Sequence, residues 1–193
     1  MRQSSAAILE SIHGVALALW LCVLFGAGLG AAVAFPKMKE LAPTIPSFAA
    51  YTGEHWRIAG GKVGMTLFWI VDQVQLPLAV LAVITVLGIA MARRGLEGRR
   101  LMVARVVIVL LATGIAGFHS LVLSPRMRAK MEDFWVAAKA GEMEKAASLQ
   151  SAFDADHPTS RVTLESTALL LLAGVGAGVF HASRSRPAGT RGA

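Results

Sequence analysis

Five polar side chains interrupt or flank long apolar stretches of this sequence, and their chemistry suits a cation or proton site. They are two carboxylates, two imidazoles and one amide: Asp72, Glu165, His119, His157 and Gln75. Carboxylate and imidazole groups suit zinc or another divalent cation, and ionisable groups inside apolar helices are commonly functional. Their spacing lacks the tight ligand pairs of a strong zinc motif. We therefore treat these five residues as a candidate polar cluster and not as a metal motif.

Helix rise predicts that three of these residues share one depth in a bundle. Asp72, His119 and Glu165 each lie roughly 28–32 Å from the arginine that marks the opposite end of the same apolar stretch. They would then sit on three helices near one membrane boundary. Three interpretations stay open at this point. The residues mark the interface, or Asp72 and His119 form a purely structural pair, or the cluster is a functional cation or proton site.

Common enzyme signatures are missing from the sequence. It has no Gly-rich phosphate loop, no H-E-x-x-H helix and no cysteine cluster, since Cys22 is its single cysteine. Ser120 follows His119 directly, but neighbours in a helix point about 100° apart, so they do not form a nucleophile–base pair. We predict a protein that is not an enzyme, with no catalytic residues, no bound metal and no cofactor.

The elements that must position these residues are apolar stretches long enough to cross a lipid bilayer. Of the 193 residues, 55% are hydrophobic and 16% are charged, and the mean hydropathy is +0.59. A span needs roughly 20 apolar residues. Four stretches qualify, at about residues 14–35, 63–92, 101–123 and 163–183. Each span should be a helix because lipid offers the backbone no water partners.

The predicted fold is therefore all-α, an integral membrane four-helix bundle forming a single domain over residues 1–183. Two alternatives remain. Four soluble core helices would need more polar surface than this chain has. Cleavage of the first stretch as a signal peptide after Ala34 fits its small residues, but the stretch is longer than the usual apolar region of about 7–15 residues.

Basic residues predict the orientation of the bundle. Segment 93–100 carries four arginines, and the basic, flexible tail 184–193 carries three more. The positive-inside rule places both segments, and hence both termini, in the cytoplasm. The Ala-, Gly- and Arg-rich composition favours a bacterial cytoplasmic membrane. The basic residues flank spans and do not alternate with aromatic residues, so the pI near 10.3 does not indicate nucleic-acid binding.

The connections between spans carry their own patterns. Five residues repeat on one helical face after the third span: Met127, Met131, Phe134, Trp135 and Ala138. A weaker face follows Gly141, so residues 126–157 are predicted to form an extramembrane helical hairpin that turns there. Pro36 is expected to end the first span. Connection 36–62 then reads as a short helix resting on the membrane surface, with its aromatic residues at headgroup depth.

Small residues at a spacing of four mark faces where helices can approach closely. They are Gly26, Gly30 and Ala34 in the first span, Ala112, Ala116 and Ser120 in the third, and Gly174, Gly178 and Ala182 in the fourth. Such faces permit packing within one bundle or self-association.

Near the opposite boundary, Glu10 and His13 are interpreted as capping or headgroup contacts. Arg105 is expected to snorkel to the headgroups.

Short motifs at the ends of the spans carry a family resemblance. They are Ser11-Ile12-His13-Gly14, Phe35-Pro36-Lys37-Met38-Lys39-Glu40-Leu41, Leu123-Ser124-Pro125-Arg126-Met127 and Phe153-Asp154-Ala155-Asp156-His157-Pro158. Over roughly residues 8–182, the chain resembles the transmembrane protein 205-like family, also called domain of unknown function 4149. This resemblance implies a four-span helical membrane protein without an established reaction. The chain departs from the family pattern at Ser124, where Glu is common, and at His119 and Leu164, where Asn is common.

Two classes of function are compatible with these patterns. In the first, the bundle transports or senses a small solute or cation, with the candidate polar cluster as its lining. In the second, a non-catalytic membrane component binds a protein partner through the outer hairpin. A contiguous polar track across the bundle would favour transport. A dry bundle with an apolar patch on the hairpin would favour a partner.

Overall fold

The computed structural model describes residues 2–93 and 99–184. This part of the chain is helical, without strands, and contains four helices that are long and apolar enough to cross a membrane. The prediction of an all-α fold with four long apolar helices is confirmed. Most of the arginine-rich segment 93–100 and all but the first residue of the tail 184–193 lie outside the described residues. The tail's predicted flexibility therefore stays a prediction.

Six helices account for most of the described residues. They are α1 (Arg2–Leu41), α2 (His55–Ala92), α3 (Arg99–Phe118), α4 (Ser124–Ala140), α5 (Met143–Asp154) and α6 (His157–Arg184). The apolar stretches predicted as spans lie inside α1, α2, the α3–α4 segment and α6, and each helix extends beyond its stretch. Polar flanks thus continue the helices, and the connections are shorter than the hydropathy pattern predicts.

Helix α1 continues past Pro36 to Leu41, so the prediction that this proline ends the helix is wrong. A proline inside a helix loses one backbone hydrogen bond and crowds the carbonyl four residues earlier. The helix is held at this point by packing against α2. A Cβ atom at Gly64 would lie only 3.0 Å from the Phe35 ring, and one at Gly60 would lie 3.5 Å from it. The two glycines therefore let α2 approach the last turns of α1 closely.

The four long helices form a ring in which α1 contacts α2 and α6, and α3 contacts the same two helices. Their shared core is apolar and includes Leu17, Val86, Ala112 and Leu171. The predicted small-residue face of α3 points into this core, since Ala112 and Ala116 are buried. In α6, a Cβ atom at Gly174 would meet Leu17 at 3.4 Å. These two small-residue faces thus serve packing within the bundle.

A second core lies at one end of the bundle, which we call the hairpin end. Helices α4 and α5 are antiparallel there and turn at Gly141, whose φ of 75° suits glycine. The first connection packs against them. Phe48 and Tyr51 are buried, and the Tyr51 ring meets Phe134 edge-on at 5.8 Å. Phe48 and Tyr51 of connection 36–62 therefore cover the hairpin, and the predicted position of this connection on the membrane surface stays a prediction.

A π-helical turn, His119–Leu123, joins α3 to α4 without a break. Such a turn holds one more residue than an α-helical turn and often occurs at functional sites. Pro125 follows it inside this continuous helix and has no backbone N–H to donate to the preceding turn. The third apolar helix and the first arm of the hairpin are consequently one continuous rod of 42 residues, Arg99–Ala140.

Candidate functional site

Asp72 is the centre of a buried hydrogen-bond network near the hairpin end. Its carboxylate is 5% exposed. Oδ1 accepts from the Ser120 hydroxyl at 2.6 Å and from the Gln75 amide at 3.1 Å, and Oδ2 accepts from the Ser124 hydroxyl at 2.6 Å. These three donors hold the Asp72 side chain in one position inside the bundle.

Gln75 extends this network to one further helix, α1. Its amide nitrogen donates to the Ser120 hydroxyl at 2.7 Å, and its carbonyl oxygen accepts from the Trp20 indole of α1 at 3.3 Å. Gln75 and Trp20 have no exposed surface. Asp72 and Gln75 lie three residues apart and share one face of α2. Sequence reasoning missed Trp20, Ser120 and Ser124, although Ser120 already stood in a small-residue face and Ser124 lies one turn beyond it.

His119 is buried beside the network but bonds in another direction. Its Nδ1 lies 2.9 Å from the Thr163 hydroxyl of α6, and that hydroxyl donates to the Ser160 carbonyl. Because the hydroxyl proton is used there, the geometry favours His119 as the donor through Nδ1. No hydrogen bond between Asp72 and His119 occurs among the described residues, so the Asp72–His119 pair, one of the three interpretations left open by the sequence, is not formed directly. The π-turn instead sends His119 to α6 and Ser120 to α2.

Glu165 and His157 do not join the network. The Glu165 side chain is 57% exposed and pairs with Arg161 one turn earlier at 2.7 Å. His157 is exposed at the start of α6, where its ring meets Phe153 edge-on at 4.8 Å. The five residues of the candidate polar cluster thus separate into a buried pair, Asp72 and Gln75, a buried neighbour, His119, and two exposed residues.

Arg105 does not snorkel, and that prediction is wrong. Its side chain is 2% exposed and makes a two-point ion pair with Glu10, with Nη1 and Nη2 at 2.9 and 2.7 Å from the two carboxylate oxygens. Arg93 lies 3.4 Å from the same carboxylate. Arg105 lies about two turns inside α3, so its guanidinium reaches Glu10 of α1 more easily than it reaches water. Its fork matches a carboxylate at two points, and this pair ties α3 to α1 across the ring.

His13 and Thr85 form the rest of this second cluster, 2.9 Å apart between Nδ1 and the hydroxyl. The Nε2 atom of His13 and the Nε atom of Arg105 are buried without a hydrogen-bond partner. An apolar layer that includes Leu17 and Ala82 lies between this cluster and the Asp72 network. No hydrogen bond in the described part of the chain connects the two clusters.

A cavity of about 810 Å³ opens beside the Asp72 network. We call it the lateral cavity. Its walls come from α1, α2, the π-turn, α4, α5 and α6, and they are mostly apolar. Three of the predicted site residues line it, namely His119, His157 and Glu165. Ser124, which donates to Asp72, lines it as well. The Asp72 carboxylate therefore lies directly behind the cavity wall.

The hairpin end also carries a strong ionic contact. Asp156 accepts from Lys130 at 2.7 Å and from Arg126 at 2.6 and 3.1 Å, which fastens the beginning of α4 to the turn between α5 and α6. The hydrogen bond from Lys130, followed by that from Arg126, lowers the pKa of the Asp156 carboxyl below its ordinary value.

A metal site does not follow from this geometry. Within residues 2–93 and 99–184, no group of three His, Cys, Asp or Glu side chains could hold a metal ion. The arrangement can instead hold the Asp72 carboxyl group in place and present a histidine and a serine to a molecule in the lateral cavity. No protein-family model, curated protein or solved structure matches the chain, so the family resemblance stays a prediction.

Proposed function

We propose that this chain is a multi-pass protein of the bacterial cytoplasmic membrane that binds a small, mostly apolar solute in the lateral cavity and senses it. The observation that carries this proposal is the cavity itself. Its volume of about 810 Å³ lies in the usual range for small-molecule sites, and mostly apolar walls with a few polar groups are typical of them. The solute would contact His119 and Ser124, and through Ser124 it would act on the Asp72 network.

Sensing is favoured over conduction by the apolar layer of the bundle. Gln75 and Thr85 belong to different clusters and lie ten residues apart on α2, or about 15 Å by helix rise. Buried Ala79 and Ala82 lie between them on the same helix. A transported ion would need polar partners through this layer. Binding by a protein partner through the hairpin is the weaker candidate, because the apolar faces of α4 and α5 are covered by Phe48 and Tyr51.

Photolabelling tests this proposal. A phosphatidylcholine with a diazirine in its acyl chain should label α1 and α6 where they line the cavity. Gly28→Phe would fill the cavity, since a side chain there meets nothing within 4 Å, and should remove that labelling. Gly114→Phe is the matched control, because Gly114 is equally open but lies outside the cavity. Equal labelling in both variants would refute the proposal.

The proposed orientation places the hairpin outside the cell and both termini in the cytoplasm. It rests on the arginine-rich segment of the sequence. In a Cys22→Ser background, single cysteines at exposed Ser47 and Ser148 should react with a membrane-impermeant thiol reagent in intact cells. A cysteine at Ser185 should be protected until the cells are opened. Labelling at Ser185 alone would reverse the orientation.

A further inference from the structure

Polarity is distributed unevenly along the lateral cavity. Toward the middle of the bundle its walls are apolar, with Leu24, Phe25 and Phe68 among them. The charged residues of the lining all lie toward the hairpin end, on the first turn of α2, the beginning of α4, the end of α5 and the first turns of α6. The cavity is thus amphipathic along its own length, with an apolar region that leads to a charged mouth.

Three arginines and two carboxylates make up the charged mouth. Arg57 pairs with Glu54 and Asp154, and Arg161 pairs with Glu165. Arg128 is different, because it lines the cavity and has no hydrogen bond or ion pair to any described residue. A half-buried guanidinium with five free N–H donors beside an apolar surface suits an anionic group that the chain itself does not supply.

We propose that the lateral cavity binds an anionic amphiphile supplied by the membrane, with its acyl chain along α1 and its anionic head on Arg128. This inference rests on the proposed function and names the class of its ligand. The cavity wall runs from Leu24 to Phe35 on α1, which is about 16 Å by helix rise. That length accommodates much of an acyl chain, whereas a small inorganic anion would leave the apolar region without a partner.

The orientation of the ligand follows from the same distribution of residues. Phe25 and Leu29 on α1 are 50% and 67% exposed and belong to the cavity wall, so an acyl chain can bury them. A phosphate or carboxylate at the mouth can accept two parallel hydrogen bonds from Arg128. The proposed membrane orientation would also put this mouth at headgroup depth, with the chain directed toward the bilayer centre.

Native mass spectrometry of the full-length protein in detergent tests the head-group assignment. Phosphatidylglycerol and the neutral diacylglycerol with identical acyl chains are compared, and phosphatidylglycerol should bind at least about 10-fold more tightly, the factor expected for one charge-assisted hydrogen bond. Arg128→Gln should remove this preference. Lys139→Gln is the control, since it removes one positive charge from an exposed position on α4 outside the cavity.

The outcomes separate this inference from the proposed function. Equal binding of both lipids, together with no effect of Arg128→Gln, would overturn the anionic head and leave an apolar ligand site. Loss of lipid binding in Gly28→Phe but not in Gly114→Phe would still support the cavity in that case. Inorganic phosphate that displaces phosphatidylglycerol at millimolar concentration would indicate a water-soluble anion and would also overturn the proposal.

Discussion

Breaking the buried Arg105–Glu10 pair should destabilise the bundle by different amounts from its two sides. The Arg105 side chain is 2% exposed, whereas that of Glu10 is 24% exposed and has Arg93 at 3.4 Å as a second cation. Glu10→Met leaves a buried guanidinium without its carboxylate. Arg105→Met leaves a carboxylate that keeps some water and a nearby arginine. Methionine is used in both variants because it favours helices and lacks charge.

The magnitudes follow from what each variant leaves behind. Removing one partner of a buried ion pair costs about 3–5 kcal/mol, and Glu10→Met should lie in that range. Arg105→Met loses hydrogen bonds to a charged group but leaves that group partly solvated, so about 1.5–3 kcal/mol is expected. The double variant should be less destabilised than the sum of the two, because apolar replacement of a whole buried pair is often close to neutral.

Reversible unfolding in mixed neutral and anionic detergent micelles, followed by circular dichroism, measures these free energies. Arg99→Met serves as the control, since Arg99 is exposed at the start of α3. A control value within about 0.5 kcal/mol of the unmodified chain is expected for a surface substitution. Equal destabilisation by the two single variants, or strict additivity in the double variant, would refute the reasoning.

Three further predictions concern the hairpin and the Asp72 network. Gly141→Ala should destabilise the hairpin by about 1–2 kcal/mol in the same unfolding assay, because its φ of 75° is left-handed. Asp156 has a pKa lowered mainly by Lys130, so its stabilising effect is complete above the unfolded-state pKa and is lost as the pH falls through the lowered native pKa. The protection factors of the α5 amides, which correct for the intrinsic pH dependence of hydrogen exchange, should therefore fall below about pH 4, and Asp156→Asn should abolish that fall. Asp72→Asn should lower the midpoint of thermal unfolding more than Ser120→Ala does. Asp72→Asn changes the group that accepts three hydrogen bonds, whereas Ser120→Ala removes one of the three donors.

The helices could be predicted from sequence because each rests on a long local pattern. Twenty apolar residues in lipid leave the backbone no alternative to a helix, and the Met127–Met131–Phe134 periodicity marks α4. The end of α1 could not be predicted. Proline usually ends a helix in isolation, but whether Pro36 does so depends on Gly60 and Gly64, which lie on another helix. The position of Tyr51 is likewise a tertiary outcome.

The candidate site was predictable in depth but not in direction. Helix rise gives how far along a span Asp72 and His119 lie, and both are buried near the hairpin end. Helix rise does not say which side chains face a neighbouring helix, because that depends on the number of residues per turn, which changes in a π-turn. The π-turn makes that change at His119, so His119 turns to α6 while Ser120 reaches Asp72. Arg105 shows the same limit, since its preference for Glu10 over the headgroups requires a partner on α1.

The extra residue of the π-turn also sets how far α4 is rotated about its axis relative to α3. Each α-helical residue advances the helix by about 100°, whereas the wider π-turn fits one more residue into nearly the same rotation. If all five residues of 119–123 were wound as an ordinary α-helix, α4 would therefore be rotated by roughly that angle. Met131 and Phe134, now directed at the first connection, would then face away from it. A one-residue insertion in this turn would therefore misalign the hairpin, whereas a one-residue deletion that restores an α-helical turn would leave α4 close to its present direction.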